Sequence, residues 1–443
     1  MLTLFTEYNE SQHLLPPGQE VLLAVSGGRD SATLAHLCHA AGIPFAVAHC
    51  NFNLRPGECD RDEAFVADLA GRYGAPLHVE HYDTLAYARQ HGQGVEEAAR
   101  ELRYAFFARL CHRHGYPCVA TAHHRDDSIE TFFLNLFRGT GLHGLHGIRP
   151  AAELPTADGT LRVVRPLLCF ARADIDAYVE REGLAYVDDH TNSQLGARRN
   201  RIRLQLMPLL RELYPGVDAT MEHNMRRLAE AEAVYSRYVD ALRRQLLQPY
   251  ASALPTPHPP LTGIRTDSLL ALEPRRTLLY ELLHGYGVGA ATVDDLLAAL
   301  PTAGGQLFHT ATHSLTLHRG WLLAAPLGAA PQPTIGTAEV PRPERWDRSG
   351  RTLYVDADRV VPPLTLRPWR VGDRFHPFGM QQSRLVSDFL TDLHLSRLEK
   401  AWVWLLEDGA GRIVWVVGLR ADDRFRVSGQ TERILRIDLA EGA

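Results

Sequence analysis

The six residues Ser26-Gly27-Gly28-Arg29-Asp30-Ser31 hold two hydroxyls, two glycines, a guanidinium and a carboxylate. An apolar run, 21–25, leads in, and an apolar-periodic stretch, 32–37, leads out, which is the pattern of a strand, a tight turn and a helix. Such a turn aims several backbone N–H groups at one point, and the helix dipole adds partial positive charge there. That is an anion site. Gly27 and Gly28 admit close backbone approach, and Ser26 and Ser31 add hydroxyl donors. The GxxxxGK[ST] phosphate loop is absent. Asp30 stands out, because a carboxylate beside phosphates is repulsive unless a cation lies between them. Mg²⁺ is the ordinary bridge. The turn therefore reads as a site for a nucleoside triphosphate with Mg²⁺, and a helix-capping role for Asp30 is compatible with it.

Two further clusters carry chemistry. In 121–145, TAHHRDDSIETFFLNLFRGTGLHGL, Asp127 and Glu130 stand three apart at a helix start and share a face. They suit either an ammonium group or the helix dipole of an acidic first turn. The His123-His124 and Asp126-Asp127 pairs lack a regular metal-ligand spacing. In 187–210, Arg198, Arg199, Arg201 and Arg203 fall within six positions, as a solvated face or as phosphate contacts.

Positioning these groups requires a scaffold. Strands are expected at 20–25, 44–49, 77–82, 117–122 and 162–168, alternating with helices near 31–41, 58–73, 95–114, 127–138 and 172–182. That alternation implies an α/β fold, a doubly wound and mostly parallel sheet, with chemistry at the carboxyl ends of its strands. A long helix is expected over 218–247, further helices over 267–300, and a hairpin over 306–324. The stretch 326–343 is rich in Pro, Gly and Ala and reads as linker. From 352 to 437 β signals dominate, with one helix near 383–394.

At 443 residues the chain calls for two or three domains. It is 45% hydrophobic and 22% charged, with no apolar run of 18 residues and no signal-peptide pattern, so no membrane association is expected. Six cysteines, all before residue 170 and none as CxxC, fit reduced thiols in the cytoplasm. Net charge is −5, but 196–244 holds ten Arg against six acids, and 364–437 holds eleven Arg and one Lys against nine acids. Lys400 is the single lysine, so basic contacts fall to arginine.

SGGRDS resembles the SGGxDS signature of the PP-loop ATP pyrophosphatases, which cleave ATP between the α- and β-phosphates. AHCNFNLR, 48–55, falls where that superfamily places its second-strand motif, with Phe52-Asn53 in place of the usual His-Gly. Together with the 121–145 block, DDHTNS…RRNRIR and the stretch from 364 to 430, the chain resembles the tRNA(Ile)-lysidine synthase family. The resemblance implies a PP-loop catalytic domain over 1–215, a mainly helical tRNA-binding domain over 216–325, a linker over 326–350 and an α+β tRNA-recognition domain over 351–443. It implies ATP and Mg²⁺, with Ser26, Gly27, Gly28, Arg29, Asp30 and Ser31 binding ATP, Asp30 being catalytic and meeting Mg²⁺ through the phosphates. It further implies that Asp127 and Glu130 hold free L-lysine. Arg100, Arg103, Arg199, Arg201 and Arg203 would contact phosphate or tRNA(Ile) with a CAU anticodon. Arginines 367, 374, 420 and 424 of the distal domain would meet tRNA phosphate. Whether the chain is a monomer or a homodimer is not legible. The implied reaction adenylates the 2-carbonyl oxygen of the wobble cytidine; lysine then attacks and displaces AMP. A PP-loop tRNA cytidine thiolase is the alternative, but such enzymes use CxxC pairs. A nucleotide sensor does not need Asp30, and an ammonia-using synthetase does not need the basic terminal domain.

Overall fold

The computed structural model describes residues 1–54, 57–187, 198–302, 305–347 and 349–440. It forms two compact units, Met1–Val234 and Tyr235–Ala443.

The first unit is built on a six-stranded sheet: β1 (Val21–Ala24), β2 (Phe45–Asn51), β3 (Leu77–His81), β4 (Val119–Ala120), β5 (Ala151–Thr156) and β6 (Gly159–Val164), in the order β3-β2-β1-β4-β6-β5. The first five strands of that order run parallel, and the β5–β6 hairpin adds an antiparallel edge. The chain starts at the sheet's centre, runs out through β2 to β3, then returns to the other side of β1 as β4. Order thus reverses beside β1, and a crevice opens at its carboxyl end. The sheet is apolar on both faces, as burial by helices on both sides demands. Val21, Leu23 and Val47 pack on one side with Leu34, Leu37 and Ile175, whereas Leu22, Ala46 and Ala48 pack on the other with Phe106, Phe107 and Leu110.

The helices are α1 (Leu2–Ser11), α2 (Arg29–Ala40), α3 (Glu58–Tyr73), α4 (Thr84–His91), α5 (Val95–His114), α6 (Arg125–Arg138) and α7 (Arg172–Glu182). Gly74, Gly92, Gly115 and Gly183 end α3, α4, α5 and α7 in the left-handed conformation, where a glycine C-cap costs nothing. Then follow α8 (Arg198–Arg201), a π-helical stretch (Ile202–Leu206), α9 (Met207–Leu213) and the long α10 (Val217–Leu246). Five helices and the strands β1, β2 and β3 match expectation closely, and β4 and β6 overlap theirs in part. β4 pairs over only two residues, and Pro166 ends β6 earlier than expected. The sequence reading missed α1, α4 and β5. The acidic DDHTNS motif, 188–193, lies outside the described residues.

The second unit combines helices with antiparallel sheets, as expected. Three of its helices, Thr266–Leu270, Arg275–Leu283 and Ala290–Ala299, pack on a five-stranded antiparallel sheet, and two short ones, Val386–Asp392 and Arg397–Ala401, follow among the later strands. The hairpin is there, as His313–His318 paired with Trp321–Pro326. The linker reading needs correction: Ile335–Val340 is a strand, bonded along its length to Ile434–Leu439. Pro and Gly flank an edge strand here. Leu254, Leu261, Leu323 and Ala325 also share one core with Phe375, Phe389 and Trp402, so the regions expected as separate domains are packed as one.

Within this unit Arg367 donates to both oxygens of Asp373 at 2.8 and 2.9 Å and also pairs with Glu407. Arg424 pairs with the buried Asp422. These two arginines are committed to the fold. Arg367→Ala leaves two neighbouring, half-buried carboxylates without their cation, a loss of about 2 kcal/mol. We expect thermal unfolding of this unit to shift down by about 4–8 °C. An unchanged melting curve would show the triad to be dispensable.

Candidate active site

The turn after β1 is bonded from within. Gly27 has φ +90°, a conformation that favours glycine, and its carbonyl accepts from the Val187 N–H at 3.0 Å. Ser31 Oγ donates to the Gly28 carbonyl at 2.9 Å, and the Gly28 N–H donates to Ser26 Oγ at 3.3 Å. These bonds fix the N-terminus of α2 at the carboxyl edge of the sheet. Gly28, not Asp30, is the N-cap residue. Asp30 sits in the first helical turn, where the dipole favours a carboxylate.

A cavity of about 400 Å³ opens there. It brings together Ser26, Gly28, Arg29, Asp30 and Ser31 from the turn with Cys50, Phe52, Arg103 and His123. Arg103 lies over the ring of Phe52, 5.3 Å from its centroid, and Arg100 over Tyr104 at 4.8 Å. Arg103 reaches the cavity and the exposed Arg100 does not line it. Asn53, where the superfamily's usual residue is Gly, has φ +48°. Asn tolerates that region, and its N–H donates to Asn51 Oδ1. The departure at 52–53 therefore leaves the backbone path intact and replaces an imidazole with a ring that holds Arg103.

A second cavity, about 320 Å³, adjoins the first. Arg29 and Arg172 line both, so these two guanidiniums form the partition. Its other walls are His124, Asp126, Glu130, Asp176, Arg203, Met207 and Arg211, an alternation of charge. Arg172 is the connecting residue. Its Nη1 donates to both oxygens of Asp30 at 3.0 Å, its Nε to Asp176 at 3.0 Å, and its backbone N–H to Asp126 at 2.8 Å. Arg29 pairs with the same Asp176 at 2.5 Å and with the Tyr186 hydroxyl. Burial raises the Asp30 pKa, against the pull of Arg172 and His124. The buried His124 imidazole lies between three acids, 3.5 Å from Asp127, 3.8 Å from Asp126 and 4.0 Å from Asp30.

Asp127 and Glu130 do share one face of α6, but arginines already engage them. Arg203 bridges both oxygens of Glu130 at 2.6 and 2.9 Å, and Arg199 Nε donates to Glu130 at 2.8 Å. Both also reach Asp127, at 3.2 and 3.4 Å. Glu130 is only 1% exposed, so a charge-matched partner is a requirement of its burial. Burial raises the Asp127 pKa, but His124, Arg199 and His123 outweigh it and the net shift is down. Arg199 and Arg203 are four apart and reach the same carboxylate, with the π-helical stretch beginning between them. Arg201 is exposed.

Sequence reasoning missed Arg172, Arg211 and His124 as site residues. His124 stood in a motif already singled out. Arg172 and Arg211 have near partners in sequence, Asp176 and Asp218, but the acids that tie them to the site, Asp30 and Asp126, lie 142 and 85 residues away.

A Gly-Gly turn and helix N-terminus at the switch point of a parallel sheet, with an acid in the first helical turn, define a PP-loop nucleotide-binding domain. A family model of the PP-loop domain matches 4–210, and two further models, the TilS substrate binding domain and the TilS substrate C-terminal domain, match 261–327 and 364–439. The chain is 37% identical to the tRNA(Ile)-lysidine synthase of Parabacteroides distasonis, over 97% of this chain and 98% of the relative. It is 36% identical to that of Bacteroides thetaiotaomicron, over 97% of each, and 32% identical to that of Dehalococcoides mccartyi, over 98% of each. The chain belongs to the tRNA(Ile)-lysidine synthase family.

His123 gives the site a pH dependence. Burial pushes its pKa down to about 4, Asp127 opposing and Arg165, Arg199 and Arg100 reinforcing. The folded pKa lies below the ordinary value of about 6.5. The associated stability is therefore fully present above pH ~6.5 and is lost as pH falls toward 4. We expect urea unfolding of the first unit to lose about 2 kcal/mol more between pH 7 and 4.5 in the wild type than in His123→Gln. Equal losses would show that His123 is not the titrating group.

Proposed function

We propose that the chain ligates free L-lysine to carbon 2 of the wobble cytidine in tRNA(Ile) with a CAU anticodon, consuming ATP and releasing AMP and pyrophosphate. The observation that carries this reading is the pair of adjoining cavities divided by Arg29 and Arg172. A two-step ligation needs one compartment for the nucleotide and another, in contact with it, for the nucleophile.

ATP takes the first cavity, its phosphates on the N–H groups of the Gly27–Gly28 turn and the hydroxyls of Ser26 and Ser31. Asp30 is a hard oxygen donor at the helix start and fits Mg²⁺, which when bound offsets the charge of the departing pyrophosphate. Arg103 offers a cation to a tRNA phosphate at the mouth. Lysine takes the second cavity. Its carboxylate faces Arg203 and Arg211, and its amino groups face Asp126, Asp176 and the Asp127–Glu130 pair. Glu130 and Asp127 thus act on lysine chiefly through the arginines they hold. The ε-amine attacks as the free base, so the site must take its proton, and His124 stands between the three acids at the partition.

In the second unit Arg374 contacts Ser383 and, among the described residues, no carboxylate, which leaves its charge for tRNA phosphate. All six cysteines are unpaired thiols, and those whose pKa is perturbed are pushed up by burial, away from the reactive thiolate that sulfur transfer needs. That speaks against the thiolase alternative. Among the described residues no helix is long and apolar enough to cross a membrane, and we place the enzyme in the cytoplasm.

Two substitutions test the assignment. Asp30→Ala is expected to fold normally yet to abolish Mg²⁺-dependent pyrophosphate release with tRNA and lysine; release near the wild-type rate would refute the role of Asp30. Glu130→Gln loosens the Arg203 clamp and should raise the KM for lysine about tenfold or more while leaving that for ATP nearly unchanged, a tenfold change being about 1.4 kcal/mol. Equal effects on both substrates would reduce Glu130 to a structural role.

A further inference from the structure

The Arg172–Asp30 pair raises a conflict inside the proposed mechanism. One guanidinium nitrogen occupies both oxygens of Asp30 at 3.0 Å. A divalent cation ligated by the same carboxylate would lie within a few ångströms of that nitrogen, and two cations so close repel strongly. Mg²⁺ and Arg172 are therefore alternative partners of Asp30. Arg172 does not need Asp30 to stay in place. Its backbone N–H is held by Asp126 and its Nε by Asp176, both of which line the second cavity and not the first. Only the Nη1 end has to move. Arg172 lines the first cavity together with Ser26, Gly28 and Ser31, the groups assigned to phosphate above, so a triphosphate bound there is an anion within reach of that end.

We propose that Arg172 is a positioning residue that changes partner, from Asp30 to the β- and γ-phosphate oxygens, when the magnesium triphosphate binds. The inference rests on the reading that the first cavity takes ATP. It gives two consequences beyond that reading. The guanidinium stands in for the metal at Asp30, so an uncompensated carboxylate never faces the incoming phosphates. And because Arg172 is half of the partition between the cavities, its transfer opens the wall only once nucleotide is in place. Lysine therefore reaches the reacting carbonyl only when ATP is present to activate it.

Calorimetric binding to the full chain, using AMP and a non-hydrolysable methylene analogue of ATP, tests this without turnover. With Mg²⁺, Arg172→Gln should bind the triphosphate analogue about tenfold more weakly while AMP binding changes less than about twofold, and Arg172→Lys should recover part of the loss. In EDTA, Asp30→Asn releases Arg172 and should bind the metal-free analogue about tenfold more tightly than the wild type does. That gain should vanish in the Asp30→Asn/Arg172→Gln double variant, which separates transfer of Arg172 from simple removal of a negative charge. Equal losses for AMP and the analogue in Arg172→Gln, no loss for either, or a gain that survives in the double variant would each overturn the proposal. Should Arg172→Gln not fold, Arg172→Lys takes its place both alone and combined with Asp30→Asn, the gain then being expected to shrink and a gain of full size overturning the proposal. A wild-type chain that binds neither nucleotide would instead refute the ATP reading itself, and the proposal with it.

Discussion

Four carboxylates, Asp30, Asp126, Asp127 and Glu130, converge at the carboxyl end of β1 and β4, the first three around a buried histidine, and their mutual repulsion is what the surrounding structure has to offset. Carboxylates a few ångströms apart in a low-dielectric site do not stay ionised unaided. The compensation comes from Arg172 at the start of α7 and from Arg199, Arg203 and Arg211 along the 198–213 segment. None of these arginines is close in sequence to the acid it neutralises. The ion pairs therefore double as tertiary ties: they dock α7 and the 198–213 segment against α2 and α6. The same groups that make the site chemically useful hold its walls together. A purely apolar interface would pack these helices at lower desolvation cost, but it would leave no charged cavity.

Arginine suits this task in a way lysine does not. Arg203 spans both oxygens of Glu130 and still reaches Asp127, and Arg172 meets Asp30 and Asp176 with separate nitrogens. An ammonium offers one charge centre and could not tie two acids at fixed spacing. With a single lysine in 443 residues, the chain also brings no ammonium of its own to this site.

The turn at 26–31, the parallel sheet and its helices were legible because local patterns carry them: a buried apolar run, two glycines, an amphipathic period. The carboxylates were legible as a face of α6. What they bind was not. Asp127 and Glu130 read as an ammonium site and Arg199 and Arg203 as phosphate contacts, each set judged by its own neighbours in sequence. Folding brings the two sets within 3.5 Å, where they satisfy each other first. Arg172 was invisible for a related reason: an arginine at a helix start runs against the dipole, its local partner Asp176 reads as an ordinary i,i+4 pair, and only folding adds Asp30 and Asp126. The edge strand at 335–340 was hidden by its flanking Pro and Gly, which mark loops by composition but also border strands at sheet edges.

The same lesson applies to charge in the second unit. Its local excess of arginine suggests a basic surface, yet Arg367, Arg412 and Arg424 are bound to Asp373, Asp408 and Asp422, the last two with fully buried side chains. Each such pair cancels locally, however favourable the sum over the sequence. What a polyanion meets is set by arginines without a carboxylate partner, and Arg374, whose side chain is bonded among the described residues to Ser383 alone, is of that kind. Net charge counted along a sequence treats every guanidinium as equal. Sorting them by what they already hold separates those that build the fold from those still able to bind RNA.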